Sequence, residues 1–324
     1  MKELTEQEFL ELKQAYFEEN NKYEKSMIFH VGIMAGFFSE VVSMMECMCY
    51  CHLNHIRFVL YADDANFSHH GWNDLFDSFG EENHDILNST GNLRYVPERI
   101  DRKLRYQYAK NKLKKRNGID YVTSDCFLDI ISPEMKKTHI DWKLFGMNGT
   151  VYPEISKLFP FATRLNQETR KNVDEYKKKI ALPGHYTSIQ IRGGDKVTER
   201  DKLVGAEECL KLMRESGQII KDLFVFTDDY RNVDYLKKNT DWNIYTLAKE
   251  EERGYVNEEF QKREWKQRYQ DTIKLFAMVE LCIDSDFHFG YEAACVNNYI
   301  KVCKTKNSYF PIYDEMELRS RGNL

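Results

Sequence analysis

Positive charge is in short supply in this sequence: 47 Lys and Arg stand against 52 Asp and Glu, for a net charge of −5. Such a chain has no global positive field to hold a nucleic-acid backbone, so nucleic acid is not an expected partner. Long apolar runs are missing as well. The longest, MIFHVGIMAGFF at 27–38, falls far short of the roughly 20 residues that a membrane-spanning helix needs. The first 26 residues are polar and lack the apolar core of a signal peptide. The expectation is a cytoplasmic protein with no transmembrane segment. The 8 cysteines show neither redox nor zinc-ribbon spacing. There is no complete GxGxxG, no P-loop lysine, no nucleophile elbow and no repeat of fixed period.

What is present is a rhythm of strands and helices. SMIFHV (26–31), a glycine-containing turn, a helix over 39–54 with Ser39 as its N-cap, and IRFVLYAD (56–63) make one βαβ unit. Residues 64–124 read as polar and irregular, apart from a basic helix whose charges suit a solvated face. Three of the 6 prolines fall between 151 and 184, and the domain boundary is placed near residue 160. Strands are then expected at 186–192, 222–229, 242–248, 287–290 and 299–304, with helices at 205–220, 233–240, 259–284 and 292–298. The alternation predicts parallel sheets covered on both faces, hence an α/β fold.

In an open parallel sheet, ligands bind beyond the carboxyl ends of the strands. Three polar clusters of the second half sit at such ends: Arg192–Lys196, Thr227–Asp229 and Gly290–Glu292. Arg192 can grip a phosphate with two parallel hydrogen bonds. Gly193 and Gly194 admit a close approach or a positive φ. Asp228 and Asp229 either cap the next helix or accept hydrogen bonds from a ligand, and the residues alone leave both open. Asp284 and Asp286 form a DxD pair of the kind that holds Mg²⁺ or Mn²⁺, although a helix-to-strand turn is the stronger reading. Cys47, Cys51 and His55 share a helical face, where buried packing outweighs a metal site. His69 and His70 read as solvated loop residues. The GIMAGFFSE turn at 32–40 reads as a helix N-terminus whose amides can receive an anionic ligand.

SIQIRGGDKVTE (188–199) resembles the strand-turn motif His-x-Arg-Arg-x-Asp-Lys of the GDP-fucose-dependent fucosyltransferases, most closely the α1,6 enzymes. LFVFTDDYRNVDYLKK is similar to their strand ending in Thr-Asp-Asp. TIKLFAMVELCIDSDFHFGYEAACV and GIMAGFFSEVVSMMECMCYCHLNHIRFVLY resemble their later helix-strand-helix and their N-terminal turn, helix and strand. The likeness covers roughly half of the chain.

The resemblance implies a GT-B-like fold, with two Rossmann-like domains whose parallel sheets face a central cleft. Residues 1–160 would take the acceptor and 161–324 the nucleotide sugar. It implies an inverting transfer of fucose from GDP-fucose to a glycan hydroxyl, with no cofactor and no essential metal. The nucleotide-sugar donor and the glycan acceptor are then the partners. By position it assigns Glu199, Lys196 and Asp195 to catalysis. It assigns Arg192, Gln190, Gly193, Gly194, Thr227, Asp228, Asp229, Gly290, Tyr291, Glu292, Gly36 and Phe37 to the donor. The chain departs from the motif at Gln190 (histidine in the family), at Gly193 (a second arginine), at Ala293 and Ala294 (serines) and at Phe38 (glycine). Those departures keep two alternatives open: another nucleotide sugar, or an inactive relative that binds glycan or nucleotide.

Overall fold

A computed structural model describes residues 4–32, 35–96, 103–194, 204–292, 294–305 and 307–313. The chain divides into two compact units, Lys2–Gln167 and Glu168–Leu324.

The first unit is built on three parallel strands, β1 (Lys25–His30), β2 (Ile56–Tyr61) and β3 (Tyr121–Val122), in the order β2-β1-β3. The helix Phe37–Leu53 returns the chain from β1 to β2, as the βαβ reading expected. It begins two residues before Ser39, because the Gly36 carbonyl accepts from the amides of both Ser39 (3.0 Å) and Glu40 (3.1 Å). This helix is apolar nearly all round, and Met44, Met45, Cys47, Cys49 and Cys51 are all buried. The Cys47 and Cys51 sulfurs lie 3.9 Å apart in that core, while His55 is exposed beyond the helix with its ring against Tyr23. The cysteines therefore pack, as expected.

Residues 64–124 hold more order than the sequence suggested: the basic helix Leu104–Asn117 ends on left-handed Gly118, and β3 follows. An unforeseen antiparallel hairpin, β4 (His139–Trp142) with β5 (Met147–Thr150), helps to close an aromatic core. There the Tyr16 ring has Phe79, Trp142, Phe145 and Phe161 between 5.4 and 6.3 Å away.

The second unit carries five parallel strands: β6 (Thr187–Ile191), β7 (Asp222–Thr227), β8 (Asn243–Tyr245), β9 (Phe287–Tyr291) and β10 (Tyr309–Ile312). Their order is β10-β9-β6-β7-β8. β6 is buried along its whole length, as a central strand must be. The chain starts in the middle, steps outward to β8, then crosses back through the helix Trp265–Asp284 to lay β9 on the other side of β6. This is the doubly wound order with its switch point between β6 and β9.

Two elements differ from expectation. YIKVCK (299–304) is not a strand, because the helix Cys295–Cys303 runs through it and buries Val296, Asn297 and Ile300 on one face. The last strand is instead β10, which the sequence reading did not reach and which contains Pro311. Proline is tolerated there because β10 is an edge. No helix among the described residues is long and apolar enough to cross a membrane.

Candidate functional site

Gln190, Arg192, Val204, Cys209, Tyr291 and Ile312 line one small crevice at the carboxyl ends of β6, β9 and β10. It lies at the switch point, where a doubly wound sheet leaves a gap between diverging connections. Of the expected donor residues, Gln190, Arg192 and Tyr291 are brought together here. Val204, Cys209 and Ile312 join them without having been foreseen; being apolar, they carry no motif.

The Arg192 turn is held from below. Asp228 Oδ1 accepts from the Gly193 amide at 2.8 Å, and its Oδ2 accepts from the Tyr255 amide at 3.1 Å. One Arg192 guanidinium nitrogen stands 3.9 Å from the same carboxylate. Gly194 has φ +63°, and a Cβ on it would run into the Tyr255 backbone. Gly194 thus serves the packing of the turn on the 254–255 segment, while a Cβ on Gly193 would come within 3.2 Å of the Asp229 Cβ.

The neighbouring acids are also committed. Asp229 caps the helix Tyr230–Asn239 through the Arg231 amide (3.0 Å) and binds the Arg231 guanidinium, which holds its carboxyl below the usual carboxylate range. The capping alternative left open by the sequence is the one the side chain fulfils. Thr227 Oγ1 exchanges hydrogen bonds with the Asp229 backbone, both at 3.2 Å. Glu292 accepts from Lys301 (3.0 Å) and from the Tyr309 hydroxyl (3.0 Å). Gly290 leaves room for that same tyrosine ring, which a Cβ would strike.

Beneath the crevice lies a buried polar column that the sequence did not reveal. Asn297 Nδ2 donates to the Tyr291 carbonyl (2.9 Å) and to Gln190 Oε1. Asn297 Oδ1 is 3.1 Å from His288 Nε2, and His288 Nδ1 is 2.7 Å from Ser188 Oγ. Ser188 meets Ser285 Oγ at 2.7 Å. Lys304 then reaches Ser285 and the carbonyls of Cys282 (3.2 Å) and Ile283 (3.1 Å), satisfying the last turn of the helix Trp265–Asp284. Burial pulls the His288 pKa down to about 3, so the ring is neutral. Gln190 is 1% exposed, and its Nε2 has no hydrogen-bond partner among the described residues.

Other expectations fall elsewhere. Asp195, Lys196 and Glu199 lie outside the described residues, as does Ala293. Gly36 and Phe37 belong to the first unit. Phe37 is a core ring there, with Phe67 at 4.9 Å and Phe76 at 5.7 Å. The turn before it already has its anion: Glu40 accepts from the amides of Gly32 (3.2 Å) and Ala35 (3.0 Å) and pairs with buried Arg94. Two amides of the turn read as an anion receptor are thus taken by the chain's own carboxylate. The DxD acids stand where a helix runs into a strand, as the stronger of the two readings expected. Asp284 binds Lys177 at 2.8 Å, and Asp286 accepts from the Tyr186 amide at 2.9 Å. Both acids precede β9, so they stand at the amino end of the sheet, opposite the crevice.

No protein-family model and no curated protein matches the chain. Its fold does match solved structures. Fucosyltransferase NodZ from Bradyrhizobium shares it at 11% identity and TM-score 0.51, over 86% of this chain and 93% of that one. NodZ α-1,6-fucosyltransferase soaked with GDP-fucose shares it at 12% identity and TM-score 0.50, over 86% and 92%. POFUT1 in complex with GDP-fucose follows at 11% identity and TM-score 0.49, over 92% and 99%. The NodZ likeness is one of fold. The chain has the α/β GT-B architecture of GDP-fucose-dependent fucosyltransferases, the family that its motifs resembled.

Proposed function

We propose that this chain is an inverting glycosyltransferase that moves fucose from GDP-fucose to a glycan hydroxyl, with the donor held by the second unit and the acceptor by the first. The observation that carries the reading is the switch-point crevice, lined by Arg192 and by Gln190, whose buried amide nitrogen has no partner among the described residues. An unanswered buried N–H costs about 1–3 kcal/mol, a cost that a ligand oxygen removes. The GT-B fold shared with a NodZ structure soaked with GDP-fucose supports the choice of donor.

In the proposed reaction the carboxylate of Glu199, with Lys196 and Asp195 as the other catalytic groups, takes the proton of an acceptor hydroxyl. That oxygen attacks the fucose anomeric carbon from the face opposite the diphosphate. The bond from carbon to diphosphate oxygen breaks, and GDP leaves with the electron pair. Arg192 and Gln190 offset the charge that grows on the departing phosphate. Asp228 contributes by fixing the turn that carries Arg192. The proposal includes no metal and no further cofactor.

A thermal-shift panel of GDP, UDP, dTDP and GDP-fucose tests the donor. GDP at 100 times its dissociation constant should stabilise by about 2.7 kcal/mol. Arg192→Ala should weaken GDP binding by roughly ten- to a hundredfold, the worth of one charge-assisted hydrogen bond. Stabilisation by UDP or dTDP but not by GDP would overturn the reading.

A further inference from the structure

The crevice floor has a fixed polarity, and its origin can be traced atom by atom. An amide is ambiguous in shape but not in chemistry. The Tyr291 carbonyl can only accept, so the Asn297 atom 2.9 Å from it is the nitrogen. The oxygen of Asn297 therefore faces His288, whose Nε2 must carry the hydrogen. The other ring nitrogen accepts from Ser188. The second Asn297 hydrogen points at Gln190, so the Gln190 atom it meets is the oxygen. Gln190 is thereby turned with its oxygen toward Asn297, and its NH₂, on a residue that lines the crevice, has no partner among the described residues.

We infer that Asn297 is a positioning residue: through Tyr291, it locks Gln190 into presenting a donor only, so that the crevice accepts anionic oxygens such as those of a diphosphate and disfavours groups that donate. The assignment of the ligand rests on the donor-site reading above; the relay does not. Asn297 touches no ligand in this scheme. Its effect passes through one side chain, and a neutral amide replaces the cation that a second arginine would have supplied at the turn.

The relay can be read directly by NMR of the side-chain amides in the ¹⁵N-labelled full chain, with Gln190→Leu used to assign the Gln190 NH₂ signals. In the unaltered protein, GDP and inorganic pyrophosphate should both move those signals, whereas guanosine should not. In Asn297→Asp, the carboxylate accepts from Gln190, so the amide turns over. Its signals should move without any ligand and its hydrogens should exchange more slowly. GDP and pyrophosphate should bind on the order of tenfold more weakly. Gln190→Glu keeps the contact with Asn297 but offers an oxygen to the crevice, so it should bind GDP more weakly than Gln190→Leu does.

Unmoved Gln190 signals in N297D would overturn the relay, and Q190E binding GDP as tightly as the unaltered chain would overturn the ligand role given to Gln190. If N297D moves the signals while neither GDP nor pyrophosphate does, the relay stands and the donor-site reading falls. Should the N297D chain fail to fold, Asn297→Ala is read in the same way: loss of the Asn297 donor should move the Gln190 signals without ligand, and unmoved signals would overturn the relay.

Discussion

Two turns follow the first strand of their sheets in this molecule, and they treat negative charge in opposite ways. The turn after β1 is filled from within: the Glu40 carboxylate takes the amides of Gly32 and Ala35 and pairs with Arg94. Burial pushes the Glu40 carboxyl up, and Arg94 draws it part of the way back. The turn after β6 is braced by a carboxylate from the next strand's end, Asp228, which takes the amides of Gly193 and Tyr255. One turn is filled by a buried anion from its own helix; the other is fixed by an anion from a neighbouring strand and carries Arg192 at the edge of the crevice.

The largest effect should come from emptying the filled turn. Glu40→Gln leaves Arg94 buried without its counter-charge, which typically costs about 3–5 kcal/mol. A large drop in thermal midpoint is expected. A midpoint within a degree of the original would mean that the turn is not held by its own anion.

Next is the braced turn. Gly194→Ala forces a side chain into φ +63° and against the Tyr255 backbone. It should cost about 2 kcal/mol or more and weaken GDP binding with it, because the Arg192 turn must shift. Calorimetry that found unchanged affinity would separate the brace from the site.

The third prediction concerns pH. His288 is neutral when folded, with a pKa near 3, but titrates in its ordinary range once unfolded. Below that range the unfolded chain gains a proton that the folded chain refuses. Stability of the second unit should therefore fall as pH drops from the ordinary histidine range toward 3, and stay flat above it. Melting curves across that window, compared with His288→Gln, check the sign. A variant with the same acid slope would assign the loss to other groups.

The smallest effect is reserved for the DxD pair. Asp284→Asn with Asp286→Asn should cost about 1 kcal/mol or less and leave GDP affinity unchanged, since both acids stand at the amino end of the sheet. A large loss of binding would reopen their role.

The sequence was most legible where chemistry and local pattern coincide. The βαβ opening, the strand before Arg192 and the strand ending in Thr227 could all be read from alternation and the polar residues that follow. The acids beside them could not be sorted, because whether Asp229 caps a helix or meets a ligand depends on which way one carboxylate turns. Asn297 and His288 were invisible for another reason. Their partners Gln190 and Ser188 lie about a hundred residues earlier, and a buried Asn in an apolar helix looks like noise. The DxD pair held a lesson that position alone could have taught. Acids before a strand stand at its amino end, away from where a parallel sheet binds ligands.

Pro311 has a consequence for assembly. The carbonyls of Ser308 and Ile312 accept from β9 and its end, so Tyr309 and Pro311 turn their backbone outward along the edge of β10 that no strand among the described residues pairs. At the centre of that edge an incoming strand would find a ring in place of an N–H. Copies of this chain that associate should therefore not do so by adding strand to strand across β10, and the crevice beside it stays clear of such self-pairing.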